Sequence, residues 1–304
     1  MSRQWLRKVS LVVGDSGGRG LDLSALRIRF STRSGDLQTP NSADIRIYNL
    51  SEETAQQVQR EFTRIVLQAG YVDNFGVIFD GTIKQFRRGR ESGTDTYLDV
   101  FAGDGDAAYN YAVVNKTLAA GSTTRDRVSA CSDSMAEHGV SEGHIPELGG
   151  PRLPRGQVLY GMARDYMRVS GQSSDTSWSI QDGKITMIPR DSYLPGEAIV
   201  LTAKTGLVGT PEQTQDGIKA RCLLNPQIGI GRRVKIDNRS ILRAKVDMSY
   251  TAINMLPKVS SDGFYRVLLR EYSGDTHGTD WYTDLTCIAL DDTVPASMAA
   301  KGGV

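Results

Sequence analysis

Alternation of apolar and polar positions runs through the first third of the chain. Val9, Leu11 and Val13 recur at every second position, as do Leu26, Ile28 and Phe30, and then Ile45 and Ile47 within Ala43-Asp-Ile-Arg-Ile-Tyr-Asn-Leu50. A period of two sends successive side chains to opposite faces, so each run predicts a half-buried strand. Further strands are expected around 65–69, 77–79, 83–86 and 97–102. One interruption is helical. Ser51 is a good N-cap, Glu52 and Glu53 suit the positive end of a helix, and Ala55, Val58 and Phe62 share one face. Six or more strands with one short helix fit a small barrel or sandwich over residues 1–105.

The pattern changes between 106 and 195. Ser122-Thr-Thr124 precede a helix with Val128, Cys131 and Met135 on one face, stopping near Gly139. A Gly/Pro-rich loop at 144–156 leads to a second predicted helix carrying Val158, Leu159, Met162 and Tyr166 and ending near Gly171. Trp178-Ser-Ile-Gln-Asp-Gly-Lys-Ile-Thr-Met187 then predicts a hairpin turning at Asp182-Gly183. This is a small α+β domain. From 196 to 291 the β pattern returns, with a loop at 206–217 and strands at 218–224, 234–236, 264–270 and 281–288. Residues 292–304 are small and polar and read as a tail.

One string occurs twice. Gly93-Thr-Asp-Thr-Tyr-Leu-Asp99 is echoed by Gly278-Thr-Asp-Trp-Tyr-Thr-Asp284, each after an apolar run with basic residues and before another apolar stretch. This context predicts two related β units, one in each half, with Tyr97 and Tyr282 at matching positions. On a strand, Asp95 and Asp99 share a face yet lie about 13 Å apart, too far for one metal ion or a shared proton. The repeated polar face is expected to line something shared, such as a lumen or a subunit contact, or to be an ordinary solvated face.

Composition narrows the function. With 39% hydrophobic and 23% charged residues and a net charge of +1, the chain reads as an ordinary globular protein of two or three domains. Bulk charge announces neither a nucleic-acid nor a membrane partner. No apolar run approaches the roughly 20 residues that span a bilayer, so no membrane insertion is expected. The basic start and short apolar run at 9–13 do not make a signal peptide, which implies synthesis and folding in the cytoplasm. Cys131, Cys222 and Cys287 are far apart and form no C-x-x-C pair, so they read as small buried hydrophobes.

Candidate chemistry falls away on context. Gly14-Asp-Ser-Gly-Gly18 spells the string around a chymotrypsin-like nucleophile, but every histidine follows Ser16 and a strand rather than a helix comes next. His138, His144 and His277 make no metal-ligand spacing. Asp104-Gly-Asp106 begins like a calcium loop but has Ala108 where a ligand is needed. Gly103-x-Gly105-x-x-Ala108 lacks the surrounding β-α-β pattern of a dinucleotide site. Arg87-Arg-Gly-Arg90 and Arg232-Arg233 have no aromatic ladder and suit loops that dock a protein. No catalytic, cofactor-binding or metal-ligating residue is assigned.

Three stretches resemble bacteriophage baseplate hub proteins. They are Ala43 to Ser51 with the helix after it, the Ser177 to Ile185 hairpin, and Thr205-Gly-Leu-Val-Gly-Thr-Pro-Glu212 leading to Ile218-Lys-Ala-Arg-Cys-Leu-Leu-Asn-Pro226 and Gly231. The resemblance covers about residues 5–290 and rests on the order of the motifs. It implies a mainly β chain with two tail-tube-like β-barrels and a smaller α+β domain. It further implies a non-enzymatic virion protein whose homotrimer forms a pseudo-sixfold ring. That ring would join a hexameric tail tube or distal tail protein to a trimeric spike, with other baseplate proteins around it and DNA passing transiently through the lumen. Two other readings stay open. A cell-wall hydrolase would use Glu137, Glu142 and Glu147. A carbohydrate-binding module would use Trp178 and Trp281 as stacking platforms.

Overall fold

A computed structural model of the chain describes residues 5–15, 19–243 and 259–290. The first part holds strands β1 (Arg7–Gly14), β2 (Gly20–Asp22), β3 (Ile28–Gly35) and β4 (Ser42–Tyr48), helix α1 (Glu52–Glu61), and strands β5 (Arg64–Tyr71), β6 (Asn74–Arg90) and β7 (Thr96–Gly103). The middle holds α2 (Asp106–Tyr111), β8 (Val113–Leu118), α3 (Thr124–Ala136), β9 (Ser141–Glu142), β10 (Gln157–Met162), α4 (Ala163–Ser173), β11 (Thr176–Gln181) and β12 (Lys184–Pro189). The last part holds β13 (Ile199–Leu201), β14 (Leu207–Thr214), β15 (Gly217–Leu223), β16 (Arg233–Ile236), β17 (Phe264–Asp275) and β18 (Trp281–Ala289). The chain is mainly β with a smaller α+β part, as the alternation predicts.

Local chemistry explains most boundaries. Ser51 caps α1 by accepting from the Thr54 amide at 3.1 Å, and Thr123 and Asp126 form a reciprocal capping box at the start of α3. The β11–β12 hairpin turns at Asp182 (φ 52°) and Gly183 (φ 69°), the two left-handed residues that a tight two-residue turn requires.

Three predicted elements differ. Two short strands at 77–79 and 83–86 are one strand, β6, because Gly81 lets the neighbouring backbone come close; a Cβ there would lie 2.7 Å from the Gly103 carbonyl. The second predicted helix begins only at Ala163. Val158 to Met162 lie in β10, which pairs with β8 as far as Met162, with Gly161 (φ 149°) one residue before the helix takes over. The predicted loop at 206–217 is mostly strand β14. Its turn residues Gly209 and Pro211 are absorbed in a bulge between Val208 and Glu212, on either side of which β14 pairs with β15. Ser16 and residues 292–304 lie outside the described residues.

A 13-stranded sheet links the first and last parts in the order β14-β15-β18-β17-β3-β4-β7-β6-β5-β1-β2, with β16 joined to β17 and β13 to β16. One core sits under β1 and β3–β7 with α1 and includes Tyr272 and Trp281 from the last part. A second fills the middle around Met135, Met167 and Trp178, and a third lies under β13–β18 around Ile218, Val267 and Cys287.

Candidate functional site: a repeated polar face

Four adjacent strands occur twice in that sheet. The run β14-β15-β18-β17 has the same chain order, pairing and direction as β3-β4-β7-β6, and the two runs join at β17–β3. Both repeated strings open the second strand of a hairpin. The Glu91 amide donates to the Asp95 carbonyl in one, and the Asp275 amide to the Asp280 carbonyl in the other. Tyr97 lies opposite Gly89 on β6 and Tyr48 on β4, and Tyr282 lies opposite Ser273 on β17 and Leu223 on β15. The ladders also slip at the same place. β6 bulges between Ile83 and Gln85, and β17 bulges between Val267 and Leu269, each opposite the same step of the equivalent partner strand. A bulge is a defined local feature rather than a generic one, so its recurrence fixes the alignment of Tyr97 with Tyr282.

The repeated aspartate has a repeated partner. Asp99 faces Arg46 across β4–β7, with Nε–Oδ1 at 2.6 Å and Nη2–Oδ2 at 3.0 Å. Asp284 faces Arg221 across β15–β18 at 2.7 and 3.0 Å through the same atoms. Each guanidinium also lies over the repeated tyrosine, 3.9 Å from the Tyr97 ring and 5.3 Å from the Tyr282 ring. A fork-to-fork pair stacked on an aromatic ring is the strong form of such contacts. Hydrogen bonding to the carboxylate raises both arginine pKa values further. The first clamp is the drier, with the Asp99 side chain 4% exposed against 36% for Asp284. Sequence reasoning finds the tyrosines and aspartates but misses Arg46 and Arg221, which stand 53 and 63 residues earlier. The available signal is an arginine on the polar side of each alternating strand, in Asp-Ile-Arg-Ile and Lys-Ala-Arg-Cys.

These clamps belong to one outward face. Arg29, Ser31 and Arg33 of β3, Asp44 and Arg46 of β4, and Lys219 and Arg221 of β15 alternate with buried neighbours. Across the junction Arg33 pairs with Glu271 at 3.1 Å. Burial raises the Asp44 pKa, with Asp99 adding to the effect and Arg46, Arg29 and Arg87 opposing it. The face is thus polar, and Asp99, Asp284 and Glu271 are each matched to a guanidinium group on an adjacent strand.

The middle part is held by a buried polar seam. Asn41 donates to the Ile180 carbonyl and the Gln181 side chain, both at 3.0 Å, and the Gly183 amide donates to Asp104 at 2.8 Å. Arg266 on β17 is buried beside Asp36 at 3.5 Å and donates to the Pro189 and Ser192 carbonyls. Burial raises the Asp36 pKa against the pull of Arg266, and burial lowers that of Arg266. Asp104 is pushed up to about 6, chiefly by burial, with the Gly183 amide opposing.

The remaining candidates do not converge. His138, His144 and His277 are exposed and apart. Glu137, Glu142 and Glu147 are exposed, and Glu142 pairs with Arg125. Asp104 and Asp106 turn to Gly183 and Lys84 rather than to a common centre. Arg87 to Arg90 lie on β6, not on a loop, and Arg88 pairs with Glu52. Trp178 and Trp281 are each 1% exposed, which removes them as sugar platforms. Trp178 stacks on Tyr109, while Trp281 meets Phe30 edge-on and donates to the Gly70 carbonyl. All three cysteines are buried, as expected.

No protein-family model matches the sequence, and no curated protein matches it. Solved structures do match. The chain is similar to the tail protein of prophage MuSo2 from Shewanella oneidensis (TM-score 0.58, 9% identity, covering 96% of this chain and 99% of that one). It is similar to a tail protein from Neisseria meningitidis (TM-score 0.57, 11% identity, covering 96% and 99%). It is also similar to an Escherichia coli component of the type VI secretion system, itself described as structurally similar to T4 bacteriophage tail proteins (TM-score 0.52, 12% identity, covering 95% and 78%). The fold is that of phage tail proteins, along nearly the whole chain.

Proposed function

We propose that this protein is a structural hub of a phage tail or of a phage-derived injection machine. In this reading the first and last cores are two tube-like units and the α+β part between them is a separate small domain. Three copies form a ring of six similar units that adapts a hexameric tail tube to a trimeric spike and lets DNA pass. The repeated polar face lines that lumen. The observation that carries the reading is the junction of the two four-strand runs. They meet head to tail, β17 of one against β3 of the other, rather than by matching edges. A head-to-tail contact repeated around an axis closes into a ring.

Light scattering combined with electron microscopy of the purified chain tests this. The expected outcome is a mass of three chains and a three-lobed ring with a central hole. A particle of two chains, or a compact particle without a hole, would overturn it.

A further inference from the structure

β17 carries two buried arginines, and only one of them has a counter-ion. Arg266 lies beside Asp36 at 3.5 Å and donates to the Pro189 and Ser192 carbonyls. Arg270, further along the strand and 8% exposed, forms no ion pair among the described residues. Its Nη1 donates to the Ile228 carbonyl at 2.7 Å and its Nη2 to the Ser34 hydroxyl at 3.3 Å, while its Nε finds no acceptor among the described residues. The guanidinium carbon stands 4.7 Å from the centre of the Tyr272 ring. All of these neighbours are neutral. A guanidinium stays charged inside a protein, and burying it without an opposite charge is costly.

The fold does not ask for this arginine. The matching bulges align Arg270 with Phe86, since each precedes the residue opposite the repeated aspartate. Phe86 packs against the core of the first part. One position is thus apolar in one unit and cationic in the other, although the strands around it repeat. Departures of this kind from the local pattern belong to function rather than to folding.

Arg270 reaches a cavity. About 670 Å³ lies between the β11–β12 hairpin, residues 194–199 and the loop 226–232, and Arg270 forms part of its wall. That volume is in the range of small-molecule sites. Arg232 lines the same cavity from its exposed side, with no ion pair or side-chain hydrogen bond among the described residues. Two glycines leave room for it. A Cβ at Gly229 would meet the Arg232 Cδ at 3.1 Å, and one at Gly196 would lie 3.9 Å from its Nη1. Lys184, Asp182 and Glu197 also line the cavity, and His144 sits beside them. Three fixed cations against two carboxylates leave an excess of one positive charge.

We propose that this cavity binds an oxyanion, a phosphate or carboxylate group, with Arg270 and Arg232 as the cations that hold it. The guanidinium fork suits a pair of oxygens of either kind. The bound group supplies the opposite charge that Arg270 lacks. The site lies within one chain and is independent of whether copies form a ring.

Calorimetric titration of the whole chain at fixed ionic strength tests this, with inorganic phosphate in one arm and succinate in the other. A saturable heat with at least one of them is expected, and the arm that binds tells a phosphate from a carboxylate source. Arg232→Gln, on the exposed side, should weaken that binding about tenfold or more, whereas Arg60→Gln on α1 should leave it unchanged. Arg270→Met keeps an unbranched side chain without the charge, and should abolish the heat. The bound probe should also raise the unfolding midpoint of the unaltered chain but not that of Arg270→Met. Absence of a saturable heat in both arms overturns the site. Binding that survives Arg232→Gln at full strength, or that persists in folded Arg270→Met, overturns it as well. Should Arg270→Met fail to fold, the Arg232→Gln comparison decides alone.

Discussion

The two Arg–Asp clamps are the same contact in two solvents. Hydrogen bonds between charged groups contribute most where water is excluded. Asp99 is nearly closed off, so Asp99→Ala leaves the Arg46 guanidinium partly desolvated, with its two short bonds gone and the longer pair to Glu91 at 3.8 Å remaining. It should lower the unfolding free energy by about 2–3 kcal/mol. Asp284→Ala exposes its arginine to water already present, and should cost less than about 1 kcal/mol. Urea unfolding of the two variants measures the difference, and a double-mutant cycle with Arg46→Ala should return most of the larger loss as coupling. Equal losses would mean that burial does not separate the clamps. At the helix start, Ser51→Ala removes the bond to the Thr54 amide and should cost about 1 kcal/mol by the same measurement.

Between elements, the seam that holds the α+β part is sensitive to pH. Asp104 is buried against Gly183 and its pKa is raised to about 6. A carboxyl whose folded pKa is above its unfolded value opposes folding when ionised. That opposition is absent below about 4, grows as pH rises to about 6, and is fully present above it. Asp104→Asn keeps an acceptor for the Gly183 amide and should stabilise the protein at pH 7–8 by on the order of 2 kcal/mol. The gain should vanish near pH 4. Thermal unfolding of both proteins across pH 4–8 checks this, and a constant offset would assign the effect to packing. Such seams were not legible in sequence, because Asn41, Asp104 and Gln181 belong to separate segments and no local rule joins them. Elements were legible where periodicity was local, as in β1, β3, β4, α1 and the β11–β12 hairpin. They were misread where the same spacing served two geometries, as at Val158 to Met162, or where turn residues sat inside a bulge, as at Gly209 and Pro211. The repeat was visible in the tyrosines and aspartates, whereas its arginine partners became visible only once the strands were paired.

For the whole molecule, the two halves share one sheet and a head-to-tail junction, and the chain has the fold of phage tail proteins across most of its length. The matching bulges near Lys84 and Leu268 divide β6 and β17 into two lengths with different neighbours. The length before the bulge, with Ile78 and Phe79, is buried in the core of its own unit. The length after it in β6 is largely exposed, with Phe86 packed against that core. Each strand is therefore read twice, once by the fold and once by whatever lies beside it. Phe79→Ala should lower the unfolding midpoint of the chain, with a loss of about 3 kcal/mol or more, while leaving the mass of the refolded particle unchanged. Arg88→Pro, on the exposed length, should change the unfolding midpoint little by the same measurement. One kink thus lets a single strand carry two separable tolerances to mutation, one set by the core of its own unit and one by its exposed surface, so that either can drift without the other.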